Sequence, residues 1–131
     1  MKDRYLYRAK RSDNGKWLSG FIYANKIGKH FILPYDYYDD TGLTSANFVD
    51  PATVGQCTGL KDKNGNLIFE GDILKSINAR HDVHVIYVCW CNSGYLAIGK
   101  ITHGSEQTYP YFPFGLSEII GNIHDNPELL E

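Results

Sequence analysis

Residues 53–75, TVGQCTGLKDKNGNLIFEGDILK, carry the turn residues that decide the fold. Short apolar runs alternate here with corners at Asn64-Gly65 and Glu70-Gly71-Asp72. Asn and Gly adopt the positive φ angles that tight hairpin turns require. The stretch therefore predicts a strand, a turn, a very short strand, a second turn and a further strand. Glycine-aspartate before an apolar strand is typical of a corner in a small β-barrel.

The same stretch superficially resembles a ligand loop, because Asp62, Asn64 and Asn66 occupy alternate positions as in a calcium loop. An EF-hand needs glycine at its sixth position and glutamate at its twelfth. This chain has Leu67 and Ile73 there, so calcium is excluded. No Gly-Lys-Ser/Thr triplet follows, which excludes a phosphate loop as well. The glycines are interpreted as corners between strands.

Two further hairpins lie on either side of this segment. RYLYRAKR and KWLSGFIYA are joined by a turn at residues 13–15, and VHVIYVCWC and YLAIGKI by a turn at residues 92–94. Val83 to Cys91 is apolar on both alternating faces, which is typical of a strand covered on both sides. Three hairpins predict an all-β chain with at most short helical turns, folded as a compact small β-barrel.

The carboxyl-terminal tail, LSEIIGNIHDNPELLE, predicts one strand and one helical turn. The strand is expected over Glu118 to Ile123. Asn126 is a suitable N-cap, and Pro127 is suitable for the first position of a helical turn.

Length and composition indicate a small folded protein. The 131 residues fit one domain or two small portions, which we place at 1–52 and 53–131. With 43% hydrophobic and 21% charged residues the chain is not expected to be disordered. We see neither a signal peptide nor a run of roughly twenty apolar residues, so we expect a cytoplasmic protein with no membrane partner. Three cysteines, two of them spaced Cys89-x-Cys91, do not resemble a secreted disulfide framework.

Charge is distributed unevenly along the chain. Residues 1–34 contain eight basic and two acidic residues, a net +6, whereas residues 35–131 contain five basic and thirteen acidic residues, a net −8. This asymmetry suits an anionic partner for the first third, and it equally suits neutralisation within the molecule or between subunits. We favour neutralisation, because a nucleic-acid-binding domain is usually basic overall.

No recognisable catalytic or metal-binding constellation is present. Cys89 and Cys91 have an unusual spacing for zinc and lie on an apolar strand, where cysteine usually points into a core. The carboxylates in residues 36–40 lie on a polar segment and resemble a solvated surface. We therefore expect no enzyme activity, no catalytic residues, no bound metal and no cofactor.

Binding surfaces are better supported by the residue pattern. Tyr35, Tyr37 and Tyr38 alternate with aspartates in a predicted loop, and tyrosines of this kind often anchor protein interfaces. Basic and aromatic residues also interleave in KDRYLYRAKR. Strand alternation places Arg4 and Arg8 on the face opposite Tyr5, Tyr7 and Ala9. Together with Arg11, these arginines could hold phosphates beside a stacking surface, and an ordinary amphipathic edge strand would have the same pattern.

The block DPATVGQCTGLKDKNGNLIFEGDIL and the later block EIIGNIHDNPELL resemble the YopX family, which is encoded largely by bacteriophages and prophages. The opening YRAKRSDNGKW is similar to that family's amino-terminal strand and turn, except that Lys10 and Arg11 replace its usual tryptophan-aspartate pair. The resemblance implies a β-rich fold with an SH3-like or barrel-like carboxyl-terminal portion. It also implies a phage accessory protein in a bacterial host, and it assigns no catalytic residues.

The leading hypothesis is therefore a non-enzymatic accessory protein that acts through protein contacts. Its partner would be a second copy of itself or another phage or host protein. The alternative is a nucleic-acid-binding protein that uses its basic first third.

Overall fold

Antiparallel strands account for most of the chain described by the structure, a computed structural model that covers residues 5–34, 47–77, 80–81, 83–91, 94–100, 106–109 and 114–130. Within these ranges there are eleven strands: β1 (Tyr7–Lys10), β2 (Trp17–Ala24), β3 (His30–Pro34), β4 (Phe48–Val49), β5 (Gly55–Lys61), β6 (Leu67–Phe69), β7 (Asp72–Ile77), β8 (Val83–Cys91), β9 (Gly94–Lys100), β10 (Glu106–Tyr109) and β11 (Glu118–Asn122). Short 3₁₀ turns occur at Pro51–Thr53, Phe114–Leu116 and Pro127–Leu130. The all-β prediction is confirmed.

The chain divides into two compact units, Met1–Cys57 and Thr58–Glu131. In the first unit the strand order is β4-β3-β2-β1-β5. Strands β1 to β4 pair in succession, and β5 pairs with the other edge of β1. Strand β5 continues into the second unit, where it is followed in the same sheet by β6.

Alternation along the strands builds the core of the first unit. Ala9, Ile32 and Val49 are buried at its centre. Leu18 is the register partner of Ala9, and Ile22 is the partner of Ile32. Partly buried side chains pack around this centre: Tyr7, Leu18, Ile22 and Val54. Full burial of one aliphatic side chain contributes about 1.5–3 kcal/mol, so this set fixes which face of β1 and β2 points inward.

A single bridge joins the two ends of the first-unit meander. Arg11, just after β1, pairs with Val49 in an antiparallel bridge. The N–H of Ser12 donates to the Phe48 carbonyl, and the N–H of Asp50 donates to the Lys10 carbonyl, each at 2.9 Å. In the described residues this contact is one isolated bridge rather than a continuous ladder of paired residues. The predicted barrel is therefore wrong in its closure.

The second unit also contains an open sheet, with strand order β10-β9-β8-β7-β11. Ile68, Leu74, Ile86 and Val88 form its buried core. Two partly buried side chains pack against them: Phe114 and Ile119. In the described chain β10 and β11 are the two edge strands of this sheet and do not pair with each other. The carboxyl-terminal portion, which was predicted to be barrel-like, is therefore an open sheet. The turn between β5 and β6 hydrogen-bonds to the segment that contains β11.

Residues 53–75 have the predicted strand–turn–strand–turn–strand form, as β5, β6 and β7. The Asp62 side chain shapes the first turn, since its Oδ1 accepts the N–H groups of Asn64 and Asn66 at 2.9 Å each. Gly71 has φ +87° at the second turn, a value that glycine adopts without strain. Next to it the Asp72 carboxylate is 1% exposed and accepts the Phe69 N–H at 2.8 Å. The acidic residues of this segment therefore hold turns in place.

The flanking hairpins agree with the sequence pattern. Gly15 has φ +71° in the turn between β1 and β2, and β8 has the predicted bounds Val83–Cys91. The predicted turn at residues 92–94 has its first two residues outside the described part of the chain. The tail forms β11 and then a 3₁₀ turn that begins at Pro127. The Asn126 Oδ1 accepts the Asn122 N–H at 3.3 Å, an additional contact back to β11.

Candidate functional site

The outer face of the first-unit sheet carries cations beside aromatic rings. Because Ala9 and Leu18 point into the core, their neighbours Arg8, Lys10 and Trp17 point to the opposite face. The same alternation along β2 and β3 continues this face, and β4 completes it. We call it the cationic-aromatic face, defined by Arg8, Lys10, Trp17, Phe21, Tyr23, Lys29, Phe31 and Phe48.

Trp17 has two cations over its ring. The Arg8 guanidinium carbon lies 4.9 Å from the ring centroid, and the Lys10 ammonium nitrogen lies 5.5 Å from it. Lys10 is the register partner of Trp17 across the hairpin, and Arg8 is its diagonal neighbour. A cation–π contact contributes about 0.5–1 kcal/mol at an exposed site. These contacts hold two positive groups and a large flat ring on one patch of the sheet.

A second group of rings crosses β2, β3 and β4. The ring centroids of Tyr23 and Phe31 are 5.8 Å apart, and those of Phe31 and Phe48 are 4.7 Å apart at 77°. The Lys29 ammonium nitrogen lies 4.8 Å from the Phe48 centroid. Phe31 is buried between its neighbours, but Tyr23 and Phe21 are 50% and 43% exposed. The face therefore presents aromatic surface to solvent next to positive charge.

Positive charge dominates around this face. Residues 5–34 contain six basic residues and one acidic residue, Asp13, a net +5. The Arg11 guanidinium binds the Asp13 carboxylate at 2.6 and 2.9 Å. This hydrogen bond lowers the pKa of Asp13, so the carboxylate stays charged and offsets Arg11. The remaining cations, which include Lys16 and Lys26 in the turns, leave residues 5–34 strongly basic.

The structure describes two of the six residues that the sequence predicted to form a binding site, Arg8 and Arg11. Arg8 lies on the cationic-aromatic face as its alternation with Ala9 predicted. Arg11 lies beyond β1 and is bound to Asp13. The other four predicted residues lie outside the described part of the chain: Arg4, Tyr35, Tyr37 and Tyr38.

Sequence reasoning missed most of the aromatic residues on this face. Trp17, Phe21 and Tyr23 share one alternating set of positions in KWLSGFIYA with Ser19, so alternation in that hairpin strand could have grouped them. Phe31 and Phe48 carry no such signal. They join the group only through the pairing of β3 with β2 and with β4.

Three other observations bear on function. In the described residues no group of His, Cys, Asp and Glu is large enough and close enough to hold a metal ion. Those residues also contain no helix with the length and apolar character to cross a membrane. Cys57 is buried in the first unit, and Cys89 in β8 is partly buried; both are thiols rather than disulfide-bonded cysteines.

The described chain is thus an all-β protein of two units, with cations and aromatic rings side by side on one sheet face. Comparison with protein families matches residues 6–131 to the family described as YopX protein. The chain therefore belongs to the YopX family, and the resemblance noted in the sequence is confirmed. No curated protein matches it.

Proposed function

We propose that this protein binds single-stranded nucleic acid on its cationic-aromatic face. The supporting observation is the meeting of Arg8 and Lys10 with Trp17 on the same sheet face that exposes Phe21 and Tyr23. Proteins that bind single strands combine a positive track for the phosphates with rings on which bases stack. Stacking of one base on one ring contributes about 1–3 kcal/mol.

The geometry favours unpaired bases. A ring that lies on a sheet face can stack only on a base whose own face is accessible, and bases inside a duplex are covered by their neighbours. Arg8 and Lys10 already lie over the Trp17 ring, so a base that stacks there moves the cations to the ring margin. The phosphates of the same strand are the natural partners for the displaced cations.

Salt-dependent binding tests the proposal. We expect an unstructured oligonucleotide to bind at about 50 mM salt and to lose affinity steeply by about 200 mM. Lys10→Gln is expected to lower the slope of log K against log salt by about 1, because one phosphate contact is lost. Lys63→Gln is the matched control, since Lys63 lies in the second unit beside Glu118. Absence of binding at low salt would end the proposal, as would equal effects of the two variants.

A second candidate function is self-association, the protein-contact hypothesis drawn from the sequence. Ile77 and Val83 are register partners in β7 and β8 and are 58% and 44% exposed, which gives the second unit an apolar patch. The net +6 of residues 1–34 and the net −8 of residues 35–131 offer complementary surfaces to a second copy. We expect a concentration-dependent dimer in sedimentation that Ile77→Thr weakens. A wild-type monomer at high concentration, in low and in high salt, would contradict it.

Either function suits the accessory role in a phage-infected bacterial cell that we propose from the family. Enzyme activity forms no part of this proposal. Recovery of the protein with host or phage nucleic acid, and its loss after nuclease treatment, would distinguish the first candidate from the second.

A further inference from the structure

An open pocket of about 320 Å³ lies beside the cationic-aromatic face, within the first unit. The β2–β3 turn, β4 and the residue after Arg11 form its walls. Its lining residues include Ser12, Lys29, His30, Phe48, Val49 and Pro51. Phe48 belongs both to this pocket and to the row of rings on the face, so the two features are continuous.

The pocket has an apolar part and a polar part. Phe48 and Pro51 offer apolar surface. Lys29 and His30 supply nitrogen atoms on the polar side. The His30 Nδ1 lies 3.0 Å from the Gly28 carbonyl oxygen, which can only accept, so Nδ1 donates in this contact. With Nδ1 as the donor, the other ring nitrogen, Nε2, is a hydrogen-bond acceptor in this tautomer.

The charges around the pocket favour an anion. None of its lining residues is acidic. The acidic residues adjacent to it in sequence are Asp13 and Asp50, and both carboxylates have partners. Asp13 binds Arg11, and the Asp50 Oδ1 accepts the Ala52 N–H at 3.0 Å. A phosphate in the pocket would therefore face the Lys29 ammonium group and the Ser12 hydroxyl without a competing carboxylate in the lining.

We propose that this pocket binds one nucleotide with a terminal phosphate monoester, such as the phosphorylated end of a nucleic-acid strand. The base stacks on Phe48, and Lys29 and Ser12 bind the phosphate. This inference rests on the proposed function, because the pocket extends the face on which the rest of the strand lies. A volume of about 320 Å³ is at the lower end of small-molecule sites, which suits one nucleotide and no more.

Lys29 couples the two parts of this ligand. Its ammonium nitrogen lies 4.8 Å from the Phe48 ring centroid, in the position that a stacked base needs. A base that enters displaces the ammonium group, which then reaches the phosphate of the same nucleotide. A nucleoside without phosphate displaces the cation and offers it no anion. The pocket consequently selects for ring and phosphate together.

Calorimetry with small probes is the first test. We expect adenosine monophosphate to bind more tightly than either adenosine or inorganic phosphate, and Lys29→Gln to weaken it about tenfold. Lys26→Gln is the matched control, because Lys26 lies in the same turn and does not line the pocket. Equal binding of inorganic phosphate and the nucleotide would overturn the proposal.

Oligonucleotides separate this inference from the proposed function. We expect a linear strand with a 5′ or a 3′ phosphate to bind about tenfold more tightly than the same strand with hydroxyl ends, and Lys29→Gln to abolish the difference. A circular single strand, which has no ends, should bind wild type and Ser12→Ala equally, because Ser12 lines the pocket and lies outside the cationic-aromatic face. If the protein binds circular strands but does not prefer phosphorylated over unphosphorylated linear strands, the pocket assignment is overturned and the proposed function stands. Nucleotide binding without circular-strand binding would support the pocket and overturn the proposed function.

Discussion

The Asp62 Oδ2 accepts the Ile119 N–H at 3.1 Å, although the two residues are 57 positions apart in sequence. The other oxygen of this carboxylate accepts the N–H groups of Asn64 and Asn66. The side chain is buried, with 5% of its surface exposed. One carboxylate thus shapes the turn of the DKNGN segment and ties it to β11. An oxygen set that resembles a calcium loop in sequence is used for backbone hydrogen bonds.

Loss of this carboxylate should destabilise the second unit. We expect Asp62→Ala to lower the free energy of unfolding by roughly 2–4 kcal/mol, because three backbone donors lose a charged acceptor. Asp62→Asn keeps one acceptor oxygen and should cost about half as much. Urea denaturation of both variants measures this. Asp13→Ala serves as a control, since Asp13 is an exposed turn residue, and it should change stability far less. An Asp62→Ala variant with an unchanged free energy of unfolding would contradict the role assigned to this carboxylate.

Acid should remove the same stabilisation. Burial alone would raise the pKa of Asp62, but hydrogen bonds from the Asn66, Ile119 and Asn64 N–H groups outweigh it and hold the pKa below its ordinary 3.8. A lowered folded-state pKa means that the stabilisation is fully present above the unfolded-state pKa. It is lost as pH falls through the folded-state value.

The difference in unfolding free energy between wild type and Asp62→Asn should therefore be constant from about pH 7 to pH 5 and shrink below about pH 4. Denaturant titrations across that range provide the measurement. A difference that grows on acidification would show that the carboxylate is not stabilised by these donors.

Gly121 should tolerate no side chain, because a Cβ built there lies 2.6 Å from the Asn126 Oδ1. We expect Gly121→Ala to cost about 1–3 kcal/mol, since Asn126 must move and its contact with the Asn122 N–H is disturbed. Gly115→Ala is the control, because nothing lies within 4 Å of its Cβ position. Thermal unfolding compares the two.

A double-mutant cycle gives the sharper test of the Gly121 contact. Asn126→Ala removes the obstructing group, so the double variant should be more stable than the sum of the single effects predicts. Additive effects would mean that the two residues do not compete for space.

Trp17 should report directly on nucleic-acid binding. The chain has two tryptophans, so Trp90→Phe leaves Trp17 as the only indole fluorophore. We expect an unstructured oligonucleotide to quench its emission, because a base stacks on the ring. Trp17→Leu should weaken binding by about 1–3 kcal/mol, as for loss of one stacked base. Binding with unchanged Trp17 emission would place the strand elsewhere. Circular dichroism of each variant verifies its fold.

Local sequence signals predicted the elements better than their assembly. Asn64-Gly65 and the apolar run from Val83 to Cys91 gave a turn and a strand with correct positions, because turn chemistry and alternation act between near neighbours. The bond from Ile119 to Asp62 and the contact of Phe31 with Phe48 depend on pairing between distant segments. No local pattern encodes that pairing. Barrel closure failed as a prediction for the same reason, since corner residues do not specify which edges meet.

The candidate site was predicted in part. Alternation in RAKR placed Arg8 on the outer face, whereas the charge count alone did not show that Asp13 holds Arg11. Lys10 was seen as a departure from the family pattern and not as a neighbour of Trp17. Its importance depends on hairpin register, which the sequence does not specify to one residue.

The bridge between Arg11 and Val49 has a consequence for the newly made chain. On the ribosome β1 can pair with β2 at once, but its contacts with Val49 and with Gln56 must wait until those residues have emerged. Until then one edge of β1 is unpaired, and Phe48 has not yet joined the other rings. A nascent chain stalled before Val49 should therefore present the Trp17 part of the face from its β1–β2 hairpin and lack the part that Phe48 completes.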